Sequence, residues 1–151
     1  MQIYRLSKQP YSGDTEGLGS RLNGGRWNNA GIPCIYASES RALAILEYAA
    51  NIELNSIPRN LNITTYEIPE AEFRSFKISE LPGDWQSHPG PQSTKDFGSK
   101  LFLEKEYLGV KLPSSIIAKE YNYLINPLSA KMELVKVLNA SDFIFDVRIK
   151  K

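Results

Sequence analysis

GLGSRLNGGRWNNAGIPCIYAS, residues 17–38, is the stretch on which the fold turns. Five glycines, two arginines and four other polar side chains stand ahead of one short apolar run. Glycine opens backbone conformations closed to other residues and lets a ligand approach the main chain. Arginine offers a planar, charged fork that matches phosphate. The apolar run, residues 32–37, carries β-favouring Ile and Tyr around Cys34 and is predicted to be a strand. A loop that bears guanidinium groups and feeds a strand suits binding better than core building.

After this strand, Ser38 is predicted to cap a helix over ESRALAILEYAA, residues 39–50. Ala42, Ile45, Leu46 and Ala49 share one face at helical spacing. Leu43, Ala44 and Tyr48 carry apolar character to other faces, so the helix is expected to be buried on several sides. Glu47 is the one acid in its last three turns. It is either a solvated residue opposite the apolar stripe or a carboxylate held in a cleft.

Further out, residues 1–6 are predicted as a strand anchored by Ile3 and Leu6. Strands are expected over 61–68 and 71–78. Residues 81–94 are rich in Pro and Gly and read as a loop. A helix over 94–108 is weakened by Gly98. Strands are predicted over 113–118, 121–125, 133–138 and 143–149, the last two as a hairpin around Asn139-Ala140-Ser141. Strands and few helices in this irregular order imply an α+β fold, not a doubly wound parallel sheet.

The totals exclude several functions. A length of 151 residues predicts a single domain over residues 1–151 with its own core. A net charge of +1 without a run of like charge argues against direct nucleic-acid or membrane-surface binding. With one cysteine and one histidine, Cys34 and His88, neither an internal disulfide nor a Cys/His zinc site is available. The acids are scattered, so no metal is expected. The N-terminus does not read as a signal peptide and no apolar run has membrane-spanning length, which makes cytoplasmic the expected location. The phosphate-loop pattern lacks its Lys-Ser/Thr, and GxGxxG fails at Leu22. A catalytic triad would have to recruit His88 from the Pro/Gly loop.

What remains is a set of Arg, Tyr, Glu, Ser and Asn residues. Arginine grips phosphate, an aromatic face stacks on a base or pyridinium ring, and a carboxylate stabilises an oxocarbenium-like carbon. Such a set suits an anionic nucleotide and a reaction at its sugar. Each residue also has an ordinary reading. Arg26, Arg5 and Arg21 suit a solvated surface, Tyr36 and Cys34 a core, and Ser114, Ser115 and Asn126 turns.

Taken together and in order, the segments resemble the RES-domain family, named for an arginine, a glutamate and a serine. They are YRLS at 4–7, GLGSRLNGGRWNNAG at 17–31, IPCIYASES at 32–40, ALAILE at 42–47, LPGDW at 81–85, LPSSI at 112–116, NYLINP at 122–127 and FDVRI at 145–149. The stretch from 94 to 110 is the least distinctive.

The resemblance implies a fold similar to that of ADP-ribosyltransferases: a split mixed β-sheet with a few helices around a cleft for NAD+. It implies cleavage of the nicotinamide–ribose bond by an NAD glycohydrolase or phosphorylase. A mono-ADP-ribosyltransferase acting on a protein is the alternative, and an inactive module that only engages a partner is a third class. NAD+ is then a substrate, and no cofactor is expected. By matching positions the family's arginine is Arg26, its tyrosine Tyr36, its glutamate Glu47 and its serine Ser114. Arg26, with Arg5 and the flexible Gly24-Gly25 pair, is expected to hold the diphosphate. Tyr36 is expected to stack on the nicotinamide side, Glu47 to stabilise the ribosyl cation, and Ser114 and Asn126 to orient ribose or amide. The implied partner is an Xre-type helix-turn-helix antitoxin covering the cleft. A homodimer is left open.

Overall fold

The chain is described by a computed structural model covering residues 1–58 and 60–150. Its strands are β1 (Gln2–Lys8), β2 (Ile35–Ser38), β3 (Asn60–Glu67), β4 (Phe73–Ser75), β5 (Gly109–Pro113), β6 (Tyr121–Ile125) and β7 (Lys136–Ile144). Its α-helices are α1 (Leu18–Asn23), α2 (Arg41–Asn51) and α3 (Gln92–Glu104). All seven strands join one sheet in the order β4-β5-β6-β2-β1-β3-β7. β4 and β5 run parallel and every other pair is antiparallel, so the sheet is mixed and the fold is α+β, as the element order predicted.

The sheet is split near its middle. β1 pairs with β3 along its full length, from Gln2↔Glu67 to Lys8↔Leu61. With β2 it shares one register pair, Tyr4↔Ser38. β2 in turn pairs fully with β6, from Ile35↔Ile125 to Ser38↔Asn122. The chain therefore builds two half-sheets joined through a single register pair.

Strand alternation divides the core. Ile35, Ala37, Tyr123 and Ile125 turn to one face with Ile3, Tyr66 and Phe73. Leu124, Val110 and Leu112 turn to the other, where Trp27, Phe76, Trp85 and Phe102 cover them and Tyr36 packs alongside. α2 packs across β1, with Ala49 against Leu6, Leu61, Ile63 and Phe145.

Several sequence expectations need correction. The helix is capped by Ser40, not Ser38: Ser40 Oγ accepts the Leu43 amide at 3.0 Å. Ser38 is instead a buried strand residue. The buried face of α2 is not the Ala42/Ile45/Leu46/Ala49 stripe. Ala42 and Leu46 are exposed, while Leu43, Ala44 and Ala49 are buried and Glu47 is half-buried. Only Phe73–Ser75 of the strand predicted over 71–78 forms, between two single 3-10 turns. β5 ends at Pro113, where 113–118 was expected to begin a strand, because Ser114 bends the chain there. The expected hairpin around Asn139-Ala140-Ser141 is one continuous strand, β7, held along β3 with a single register shift between Thr65 and Tyr66. The Gly-rich stretch also contains a short helix, α1, which its glycines disguised.

Ser40 supplies a first expected result. Ser40→Ala removes one cap bond and should lower stability by about 1 kcal/mol. That loss reads as a lower urea midpoint at unchanged slope.

Candidate functional site

The glycine-rich loop is fixed from two directions. Gly24 has a positive φ of 72°. A Cβ on Gly25 would come within 2.6 Å of the Tyr36 hydroxyl, so this position requires glycine. From β2, the Tyr36 hydroxyl accepts the Trp27 amide at 2.9 Å and donates to Asn28 Oδ1 at 2.6 Å. Burial pushes that phenol well above its ordinary pKa, so the proton stays on the donor. From α3, Thr94 Oγ1 donates to the Arg26 carbonyl at 2.6 Å and Lys95 Nζ to the Gly25 carbonyl at 2.6 Å. Ser99 Oγ accepts the Asn29 amide at 2.8 Å. The segment that looked least distinctive in sequence is thus the buttress of the loop.

Tyr36→Phe is expected to leave the Trp27 amide and Asn28 Oδ1 without their partner, at a cost of about 1–3 kcal/mol. Thermal unfolding followed by tryptophan fluorescence checks it. An unchanged melting temperature would mean that the hydroxyl does not hold the loop.

The Arg26 guanidinium reaches the opposite loop. Its Nη1 donates to the carbonyls of Trp85 at 2.8 Å and Ser87 at 2.6 Å. Its other nitrogens make no hydrogen bond among the described residues and can still face an anion. Arg5 is different. It forms a largely buried ion pair with Asp14 at 3.2 Å, and the same carboxylate accepts the amides of Glu16, Gly17 and Leu18 at the start of α1. Arg5 borders the cleft, but its charge is balanced, which weakens its expected part in holding a diphosphate.

Glu47 projects from α2 toward β6. Its Oε1 accepts two bonds, from Ser114 Oγ at 2.8 Å and from Asn122 Nδ2 at 2.7 Å. Asn122 is in turn held by Ser38, whose Oγ donates to Asn122 Oδ1 at 2.7 Å across the Ser38↔Asn122 register pair. Both bonds to Glu47 end on one oxygen, which orients the carboxylate and leaves Oε2 without a partner among the described residues. Ser114 is 3% exposed and its oxygen also takes the amides of Ile116 and Ile117. It sits behind Glu47 and positions it. Ser115, not Ser114, borders the cleft.

These parts surround one cleft of about 550 Å³ that opens over the split between β1 and β2. Arg5, Gly24, Gly25, Arg26, Tyr36 and Glu47 all line it. Asn126 does not. Its Nδ2 donates to the Phe102 carbonyl at 2.9 Å and its Oδ1 accepts the Leu128 amide at 3.0 Å, a turn role inside the core. Asn122, a residue of the predicted 121–125 strand, lines the cleft and bonds Glu47. Strand alternation from Tyr123 and Ile125 could have indicated it. Cys34 is fully buried, and desolvation pushes its thiol pKa up, so it fills space as a neutral group.

Comparison with known proteins bears on this arrangement. The family model described as RES domain matches residues 2–146. The chain is 30% identical over 153 residues to "Toxin Res" of Photorhabdus laumondii, covering 100% of this chain and 98% of that protein. It is 30% identical over 139 residues to the "Prs ADP-ribosylating toxin" of a Sphingobium species, covering 90% of this chain and 86% of that protein. Among solved structures, the M. tuberculosis MbcT-MbcA toxin-antitoxin complex contains a chain that matches with a TM-score of 0.76 at 17% identity, over 95% of this chain and 84% of that one. At that identity the likeness establishes the fold.

Proposed function

The chain belongs to the RES-domain family, and from that premise we propose that it is the toxin of a toxin–antitoxin pair that cleaves the nicotinamide–ribose bond of NAD+. The observation that carries the proposal is the Glu47 carboxylate, held by Ser114 and Asn122 on one wall of a cleft whose other wall is the Gly24-Gly25-Arg26 loop. An anion-gripping loop facing a fixed carboxylate suits a molecule with a diphosphate and an electron-poor sugar carbon.

Arg26 holds the diphosphate, and the lack of side chains at Gly24 and Gly25 lets it come close to the loop. The Tyr36 ring borders the nicotinamide side. Glu47 stabilises positive charge on the ribose as the bond lengthens. The C–N bond breaks with its electron pair going to the nicotinamide nitrogen, which neutralises the pyridinium ring. No general acid is needed for that departure. An oxygen nucleophile then bonds to the anomeric carbon and its proton passes to solvent. With water the product is ADP-ribose, and with phosphate it is the phosphorylated sugar.

Transfer to a protein shares the first step and differs only in acceptor. The Sphingobium relative's name supports it as the second reading. An inactive module is disfavoured by the intact bonding around Glu47. Adenine-labelled NAD+ incubated with the purified protein, with and without phosphate and cell lysate, separates the outcomes. Released label as ADP-ribose or its phosphate supports hydrolysis or phosphorolysis, and label on a protein band supports transfer. Intact NAD+ under all three conditions contradicts the proposal.

A helix-turn-helix antitoxin closing the cleft is the proposed control. The toxin–antitoxin assembly of the structural neighbour supports it. So do exposed Leu22, Leu46 and Ile116, each next in sequence to a residue lining the cleft.

A further inference from the structure

Ser114, expected to orient the sugar or the amide, has no bonding capacity left for a substrate. A serine hydroxyl has one proton to donate and two lone pairs with which to accept. Ser114 Oγ donates to Glu47 Oε1 at 2.8 Å and accepts the amides of Ile116 at 3.2 Å and Ile117 at 3.1 Å. Asn126 is occupied in the same way, between the Phe102 carbonyl and the Leu128 amide. A polar contact to the reacting sugar has to come from another side chain beside Glu47.

Around Glu47, on β2, β6 and the turn that joins β5 to β6, the polar residues bordering the cleft are Tyr36, Ser38, Asn122 and Ser115. The Tyr36 hydroxyl is held between the Trp27 amide and Asn28 Oδ1. Ser38 Oγ donates to Asn122 Oδ1, and Asn122 Nδ2 donates to Glu47. Of the four, Ser115 is the one whose side chain makes no hydrogen bond among the described residues, and it is half-buried, open to the cleft it borders.

Its place is fixed. Consecutive Cα atoms lie about 3.8 Å apart, so Ser115 stands directly beside the residue that bonds Glu47. The turn is closed on both sides of it. The Ser114 amide donates to the Glu120 carbonyl at 2.8 Å, the Glu120 amide donates to the Ile117 carbonyl at 3.4 Å, and Ser114 Oγ gathers the two amides that follow Ser115. A ligand that bonds Ser115 has little backbone to order. The chemistry also complements the carboxylate. Ionised Glu47 only accepts, whereas a sugar hydroxyl both donates and accepts. Ser115 adds a donor next to that acceptor.

We infer that Ser115 bonds a hydroxyl of the ribose at the reacting end of the substrate. Ser114 then positions the carboxylate, and its neighbour touches the sugar. The inference rests on the NAD+ reading of the cleft and adds to it the residue that recognises the reacting ribose.

ADP-ribose and ADP differ by that one sugar, which makes them the probes. Both are titrated by calorimetry into wild type and Ser115→Ala, with NAD+ turnover and a thermal melt in parallel. The substitution removes a hydroxyl that bonds nothing in the free protein, so the variant should melt as wild type does. It should bind ADP-ribose about 3- to 10-fold more weakly, the worth of one neutral hydrogen bond, and bind ADP with wild-type affinity. Unchanged ADP-ribose affinity, an equal loss of ADP affinity, or a wild-type protein that binds no ADP-ribose overturns the contact. A loss confined to ADP-ribose, in a protein whose wild type leaves NAD+ intact, keeps the contact and rejects the proposed cleavage.

Discussion

Glu47→Gln is expected to lower the rate of nicotinamide release from NAD+ by about 100- to 1000-fold, the usual effect of removing a group that acts mainly in the transition state. The substitution is unusually clean here. Ser114 and Asn122 both donate to Oε1. A glutamine presenting its amide oxygen at that position keeps both bonds and loses only the charge. The fold, the melting temperature and the KM for NAD+ should therefore change little while kcat falls. Steady-state nicotinamide release paired with a thermal melt makes the comparison. A folded variant that turns over NAD+ at the wild-type rate removes the carboxylate charge from the mechanism.

Gly98→Ala has a large expected effect on stability, and its sign is informative. On helix propensity alone, alanine in the interior of α3 would stabilise by about 1 kcal/mol. In the fold, a Cβ at Gly98 would lie 1.9 Å from the Trp27 carbonyl oxygen and 2.8 Å from its carbon. Both are backbone atoms of the loop that carries Arg26, so neither can swing aside. Either α3 moves back or the loop does. Overpacking of this kind costs typically 1–3 kcal/mol and occasionally more, which outweighs the propensity gain. The variant should be destabilised by about 2 kcal/mol in urea titration. Activity should suffer beyond the loss of folded protein, because the Thr94, Lys95 and Ser99 bonds to the loop shift with the helix. A stabilised Gly98→Ala protein would mean that α3 does not press on the loop.

What could be read in the sequence follows from which signals are local. The glycine-rich loop, the strand after it and an acid on the following helix were legible because turn chemistry and spacing are written in neighbouring residues. The α+β class followed from element order. The inward face of α2 was misread because alanine and leucine at 42 and 46 look as apolar as those at 43 and 44. Which pair turns inward depends on where β1 and β2 lie. Ser38 and Ser40 are both good caps in isolation, and β2 claims the first. Asn122 and Asn126 stand on either side of the same three residues, Tyr123-Leu124-Ile125. Only the register with Ser38 sends Asn122 to Glu47, while the turn at Pro127 keeps Asn126 in the core. The buttressing role of α3 was hidden for the same reason, since Gly98 reads as a weak helix position until Trp27 is seen against it.

The most direct measurement follows NAD+ by proton NMR with the purified, partner-free protein in phosphate buffer, alongside Glu47→Gln. Free nicotinamide should appear in equal amount to the NAD+ lost and to the ADP-ribose or ADP-ribose phosphate formed, with the variant nearly silent. Nicotinamide resonances that stay those of NAD+ with the folded wild-type protein would contradict the assignment of this cleft to nicotinamide–ribose cleavage.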